Sequence, residues 1–142
     1  MVLQLACAAV LLCVCAAVHG LGTVAITRAV RHHHRDPDVR ALHRPVLGLV
    51  IGLLFVFLLH VAEVGLWAVA YRSVGAFLDF EEALYFSMTS FTTAGYGDLV
   101  PPVKWRILGA SEAMVGMVLL GWSAGLVLVL LERMNRRVLE ED

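Results

Sequence analysis

Charge is what this chain has least of. Only 16% of its 142 residues are charged, the net charge is -1, and 60% are hydrophobic. That balance excludes an ordinary soluble domain of this size, and it gives no basic surface on which nucleic acid could be held. Cysteine is scarce too. Cys7, Cys13 and Cys15 all fall in one apolar stretch, where they read as small apolar residues facing lipid or a neighbouring helix. A disulfide framework or a cysteine metal site is excluded by that clustering. No apolar run carries arginine at every third position, which excludes a voltage-sensing helix.

What the chain does have is three long apolar runs. Residues 1–27 hold no Asp, Glu, Lys or Arg, residues 46–71 hold one acid, Glu63, and one histidine, His60, and residues 107–131 hold one acid, Glu112. Each is about 25 residues, and a helix needs about 20 to cross the hydrocarbon core of a bilayer. The expected fold class is an all-α membrane protein with three transmembrane helices. The first run carries "VCAAVHG" near its end, with the small residues of a cleaved signal peptide. No basic residue precedes it, however, so a retained N-terminal helix over 1–27 is expected.

Arginine sets the expected orientation. Arg28, Arg31, Arg35, Arg40 and Arg44 lie in the loop 28–45, and Arg133, Arg136 and Arg137 in the segment 132–142. These are eight of eleven basic residues, and basic segments stay in the cytoplasm. Loop and tail are therefore expected inside, the N-terminus outside, with Trp67, Tyr71 and Trp105 in an outer aromatic belt. The run His32-His33-His34 reads as part of a solvated basic loop. The tail, 132–142, is too short for a ligand-binding domain, so regulation is expected to reside in the spans, the loop or a partner.

Between the second and third runs the pattern changes. Asp79, with Glu82 three residues later, has the form of a helix N-cap and capping box, and acids suit the positive end of a helix dipole. A short helix over 80–91 follows, about three turns long and too short to span. After it comes "SFTTAGYGDLVPP", whose glycines and prolines favour neither helix nor strand. Irregular backbone at membrane depth is tolerated only where protein buries it or where it lines a watery cavity. Several copies around an axis would let the carbonyls of Thr93, Ala94, Gly95 and Tyr96 replace the water shell of a cation. Gly95 and Gly97 permit the backbone angles this needs.

The stretch "TTAGYGD" resembles the signature of the potassium-channel pore-domain family, which usually has a branched residue where this chain has Ala94. The likeness covers outer helix 46–71, pore helix 80–91, filter 92–98 and inner helix 105–131. It implies a homotetramer in the lipid bilayer, no cofactor, and potassium ions bound at the carbonyls of Thr93, Ala94, Gly95, Tyr96 and Gly97. By the same resemblance Thr92, Thr89, Tyr85 and Asp98 support the filter, with the Tyr85 hydroxyl reaching Asp98, and Gly116 matches a bending point of the inner helix. Packing alone explains a glycine there equally well. The small Ala94 opens the alternative of a weakly selective sodium and potassium channel.

Ionisable residues inside a span are functional candidates. Counting rises of 1.5 Å puts Glu63 and Glu112 at similar depth, with His60 one turn from Glu63. A His60–Glu63–Glu112 cluster behind the pore helix is expected, either as a structural lock or as a proton-sharing unit. A metal-dependent intramembrane enzyme built on those three is the remaining alternative. It is disfavoured because no second histidine stands at ligand spacing and no nucleophile–base arrangement is visible.

Overall fold

A computed structural model describes residues 1–33 and 43–140, with side chains described for 1–29 and 46–132. The expectations placed on the histidine run at 32–34, on Arg31, Arg35, Arg40 and Arg44, and on Arg133, Arg136 and Arg137 concern side chains outside the described ones. Every regular element among the described residues is helical: α1 (Val2–His33), α2 (His43–Ser73), α3 (Phe80–Phe91), a 3-10 turn (Val103–Trp105) and α4 (Arg106–Glu140). Three of these contain windows long and apolar enough to cross a membrane, Val2–Ala29, Val46–Ser73 and Val103–Glu132. The helices themselves reach His33 in α1, begin at His43 in α2 and reach Glu140 in α4. The segment read as a tail is thus helical as far as Glu140.

α1 is not uniformly lipid-facing. Gln4, Ala8, Cys15, His19, Gly22 and Ile26 are buried and recur at helical spacing, forming one inward stripe. Two of its members are polar, and both reach the other helices. Gln4 Oε1 accepts from the Leu108 N–H at 3.2 Å, satisfying one of the donors that every helix N-terminus leaves unpaired. The other, His19, is bonded to α2.

α2 ends in a Schellman turn, with Gly75 at φ 67, the Ala76 N–H on Tyr71 O at 2.9 Å and the Gly75 N–H on Arg72 O at 3.2 Å. That turn folds Ala76 and Phe77 back into the core. Tyr71, Phe77 and Phe86 then pack with ring centroids 5.1 to 6.0 Å apart, joining the end of α2 to α3. Trp67 and Tyr71 are fully buried, so neither belongs to an outer aromatic belt. The reason is chemical: the Tyr71 hydroxyl is bonded inside the bundle, as described below.

α3 starts as its sequence dictates. Asp79 caps it, accepting from Glu81 N at 2.7 Å and Glu82 N at 3.4 Å, with two acids in the first turn. Its other end rests on α4. Phe91 is buried, and its backbone lies so close to Gly116 that a Cβ there would stand 2.7 Å from the Phe91 carbonyl carbon. Glycine at 116 therefore has a packing reason, and α4 passes through it without a break. Gly116→Val should destabilise the fold by about 1–3 kcal/mol, since backbone and not a pliable side chain must move. Thermal unfolding in detergent measures this; an unchanged midpoint would mean the end of α3 can shift at no expense.

Candidate functional site

The segment after α3 is held almost entirely by backbone bonds. Thr92 is the C-cap, its N–H and hydroxyl both donating to Met88 O at 3.2 and 2.7 Å. The Thr93 N–H donates to Ser90 O at 2.9 Å and the Gly95 N–H to Thr89 O at 3.0 Å. Thr89 thus supports the segment through its carbonyl, while its hydroxyl turns back to Phe86 O. That carbonyl role needs no particular side chain, which is why a threonine serves.

Along the segment φ alternates in sign. Thr93 has φ 61, Gly95 φ 52 and Gly97 φ 77, and neither Ala94 nor Tyr96 between them is positive. In a strand successive residues present opposite faces. Alternating handedness turns successive peptide groups the same way, gathering N–H groups on one side and carbonyls on the other. Gly95 and Gly97 adopt positive φ freely, but Thr93 does not. A β-branched residue there is strained by about 1–3 kcal/mol, and such strain persists only where surrounding structure fixes it. Nothing in the sequence marked Thr93 for this conformation, since threonine rarely adopts it. Residues 92–98 are all exposed on the single chain, Tyr96 to 73%, so one copy encloses no ion.

Beyond the glycines, the Tyr85 hydroxyl donates to Asp98 Oδ2 at 2.6 Å, and Asp98 Oδ1 takes the Leu99 N–H at 3.0 Å. The bond from Tyr85 holds the Asp98 carboxyl below its ordinary range, and the same bond raises the Tyr85 phenol. A depressed carboxyl pKa stabilises the fold above the ordinary value of about 4 and loses that effect as pH falls through the folded value. The difference in unfolding midpoint between wild type and Tyr85→Phe should therefore be flat from pH 6 to 8 and shrink below about pH 4. A gap that instead changes near neutrality would assign the effect to another group.

The membrane acids are divided between two networks. Glu63, fully buried, accepts from both sides: His19 Nδ1 lies 2.8 Å from Oε1, and His60 Nδ1 lies 2.8 Å from Oε2. The far nitrogens of both rings meet Ser123 Oγ on α4, at 2.9 Å from His60 and 3.4 Å from His19. Glu112, also fully buried, takes the Tyr71 hydroxyl at 2.6 Å and stands 2.5 Å from Ser87 Oγ, which also contacts Val64 O at 2.9 Å. No hydrogen bond joins Glu112 to His60 or Glu63 among the described residues. The expected single cluster is corrected accordingly. Seven residues separate Val64 and Tyr71, which puts them on one face of α2, and Glu63 is turned about 100° from its neighbour Val64. The contacts of His60 with Ser123 and of Tyr71 with Glu112 lie eleven residues apart along both helices, so the two acids differ in level as well as in face. The absence of a second histidine is also corrected, because His19 comes from α1.

Four partners were missed by sequence reasoning: His19, Ser123, Tyr71 and Gln4. A signal existed for two, since Gln4 and His19 are polar residues in an otherwise uncharged run, about four turns apart on one face. Glu112→Gln should keep the fold, because an amide can accept from Tyr71 and donate to Ser87. Glu112→Leu should lose about 1–3 kcal/mol by stranding both hydroxyls. Unfolding midpoints of the two variants measure this; equal midpoints would remove the hydrogen-bonding role.

A family profile described as "Ion channel" matches residues 53–133, more than half of the chain. The chain belongs to this ion channel family. The match takes in most of α2, all of α3, the alternating segment and most of α4. Family membership makes the protein a membrane channel. Comparison with curated proteins and with solved structures returned no match. α1 precedes the matched region, yet it supplies His19 to Glu63 and Gln4 to the start of α4. In this channel the helix outside the shared region is bonded to both long helices within it.

Proposed function

We propose that the channel is a homotetramer conducting potassium passively through the carbonyls of Thr93, Ala94, Gly95, Tyr96 and Gly97. The observation that carries this reading is the alternating φ at 93, 95 and 97, directly after a capped short helix. Such a backbone can offer a row of carbonyls, while the C-terminal end of α3 adds negative dipole at the same place. Because one loop leaves its carbonyls open to solvent, several copies are needed to close a ring. Helix α4 keeps an unpartnered face, with Met114, Met117 and Val118 exposed on a side away from the buried Val115, Leu119 and Ser123. In the proposed tetramer that face lines the pore and meets neighbouring copies, and α1 lies outermost. The arginine distribution puts the N-terminus outside and the C-terminus in the cytoplasm. Gly116 is proposed as a bending point as well as a seat for Phe91, since a bend there would move the residue that supports the filter.

The test is cation flux into liposomes holding the purified channel, with potassium and sodium compared, alongside native mass in detergent. Potassium flux well above sodium and a four-chain particle are expected. Gly95→Ala should abolish flux while leaving assembly intact, because alanine resists φ 52. Ala94→Val should hold or raise the preference for potassium by filling space beside the filter. Equal flux of the two ions would overturn the selectivity, and a stable dimer with its filter segments apart would overturn the pore.

A further inference from the structure

The His19–Glu63–His60–Ser123 ring is not required by the pore just described, and its chemistry suggests a ligand. His19 and Glu63 are fully buried, and the His60 side chain is 14% exposed. The donor atoms of His19, His60 and Glu63 all lie within 4.8 Å of one another. Two neutral imidazoles and one carboxylate form a borderline donor set that suits zinc and its late first-row neighbours, whereas calcium and magnesium prefer all-oxygen shells.

With two neutral imidazoles and an ionised Glu63 the ring is one proton short of closing, and either a shared proton or a bound cation completes it. With Glu63 ionised, both Nδ1 atoms must carry hydrogen to reach it. Both Nε2 atoms are then bare acceptors facing Ser123, whose hydroxyl has one proton to give. One of the two contacts is left with lone pair against lone pair, and the longer of them measures 3.4 Å, at His19. A metal at the Nδ1 side resolves this. It takes both Nδ1 lone pairs and a Glu63 oxygen, the imidazole protons sit on Nε2, and both N–H groups donate to the two lone pairs of Ser123 Oγ. The serine thereby becomes the outer partner that orients both metal-bound histidines. Tetrahedral zinc places its ligands roughly 3.3 Å apart. Each Nδ1 lies 2.8 Å from its own Glu63 oxygen and no two donor atoms are more than 4.8 Å apart, so a shift of about an ångström lets both rings and one oxygen share an ion. A fourth, exchangeable position remains, reached past His60.

We propose that His19, His60 and Glu63, backed by Ser123, form a binding site for a zinc-class divalent cation that fastens α1 to α2 and α4. The His60 ring lies 5.7 Å from the ring of Phe91, the last residue of α3 and two before Thr93, so an occupant would bear on the start of the filter segment. The site stands whether or not the pore selects potassium.

The experiment uses the full chain in detergent, incubated with zinc, desalted and measured for bound metal, with affinity read by chelator competition. One zinc per chain is expected. His19→Asn, His60→Asn or Glu63→Gln should weaken binding more than tenfold, and Ser123→Ala about tenfold as loss of an outer partner. The histidines at 32–34 could bind zinc independently, so a triple replacement of those three by alanine is run in parallel and should leave the buried site loaded. Cobalt supplies a readout without variants in the ring. The His19 ring lies 5.0 Å from the Trp122 ring, so cobalt in the site should quench tryptophan fluorescence and show visible absorption of a low-coordinate centre. Zinc that is lost with residues 32–34 replaced but kept in His19→Asn would overturn the proposal. So would wild-type protein that takes up neither zinc nor cobalt.

Discussion

Backbone that leaves regular structure near the hydrocarbon of a bilayer has no water to satisfy it, so protein must. Everything around residues 92–98 answers that requirement. The Thr93 and Gly95 N–H groups return to carbonyls of α3, Thr92 caps the helix twice over, and Tyr85 anchors Asp98 beyond the last glycine. α3 can serve as the support because it is itself fixed at both ends, by Asp79 at one and by Phe91 seated on Gly116 at the other. Thr93 holds its left-handed conformation only because these constraints meet there.

The long helices face a related difficulty. Lipid is as apolar as their side chains, so burial alone gives them little reason to associate; close packing and polar bonds must do so. Each pair of long helices here is joined by such a bond. Gln4 ties α1 to α4, His19 ties α1 to α2, and both His60 to Ser123 and Tyr71 to Glu112 tie α2 to α4. Ser87 adds α3, contacting Glu112 and Val64 O together. Polar groups that look costly in a hydropathy plot are therefore the contacts that give the bundle one arrangement.

Much of this was legible residue by residue. The spans follow from run length, the start of α3 from Asp79 and the acids behind it, and the irregular segment from its glycines and prolines. The pairing of Tyr85 with Asp98 came from resemblance to potassium channels, not from spacing, and the two side chains are in contact. The glycine at 116 was ambiguous, because bending and close approach both ask for the same residue; the carbonyl of Phe91 against it supplies the packing reason.

By itself the sequence determined an all-helical membrane chain and a segment unable to be helix or strand, because hydropathy, capping and backbone freedom are local properties. Only the tertiary structure decided which polar residues meet. Depth arithmetic along single helices gives neither azimuth nor the register between helices, and the partners of Glu63 and Glu112 show that the two acids differ in both. His19 lies 44 residues from Glu63, and no periodicity within one helix can announce a partner on another. The handedness of Thr93 belongs to the same class: threonine has no local preference for φ 61, and the bonds that hold it there come from the surrounding fold.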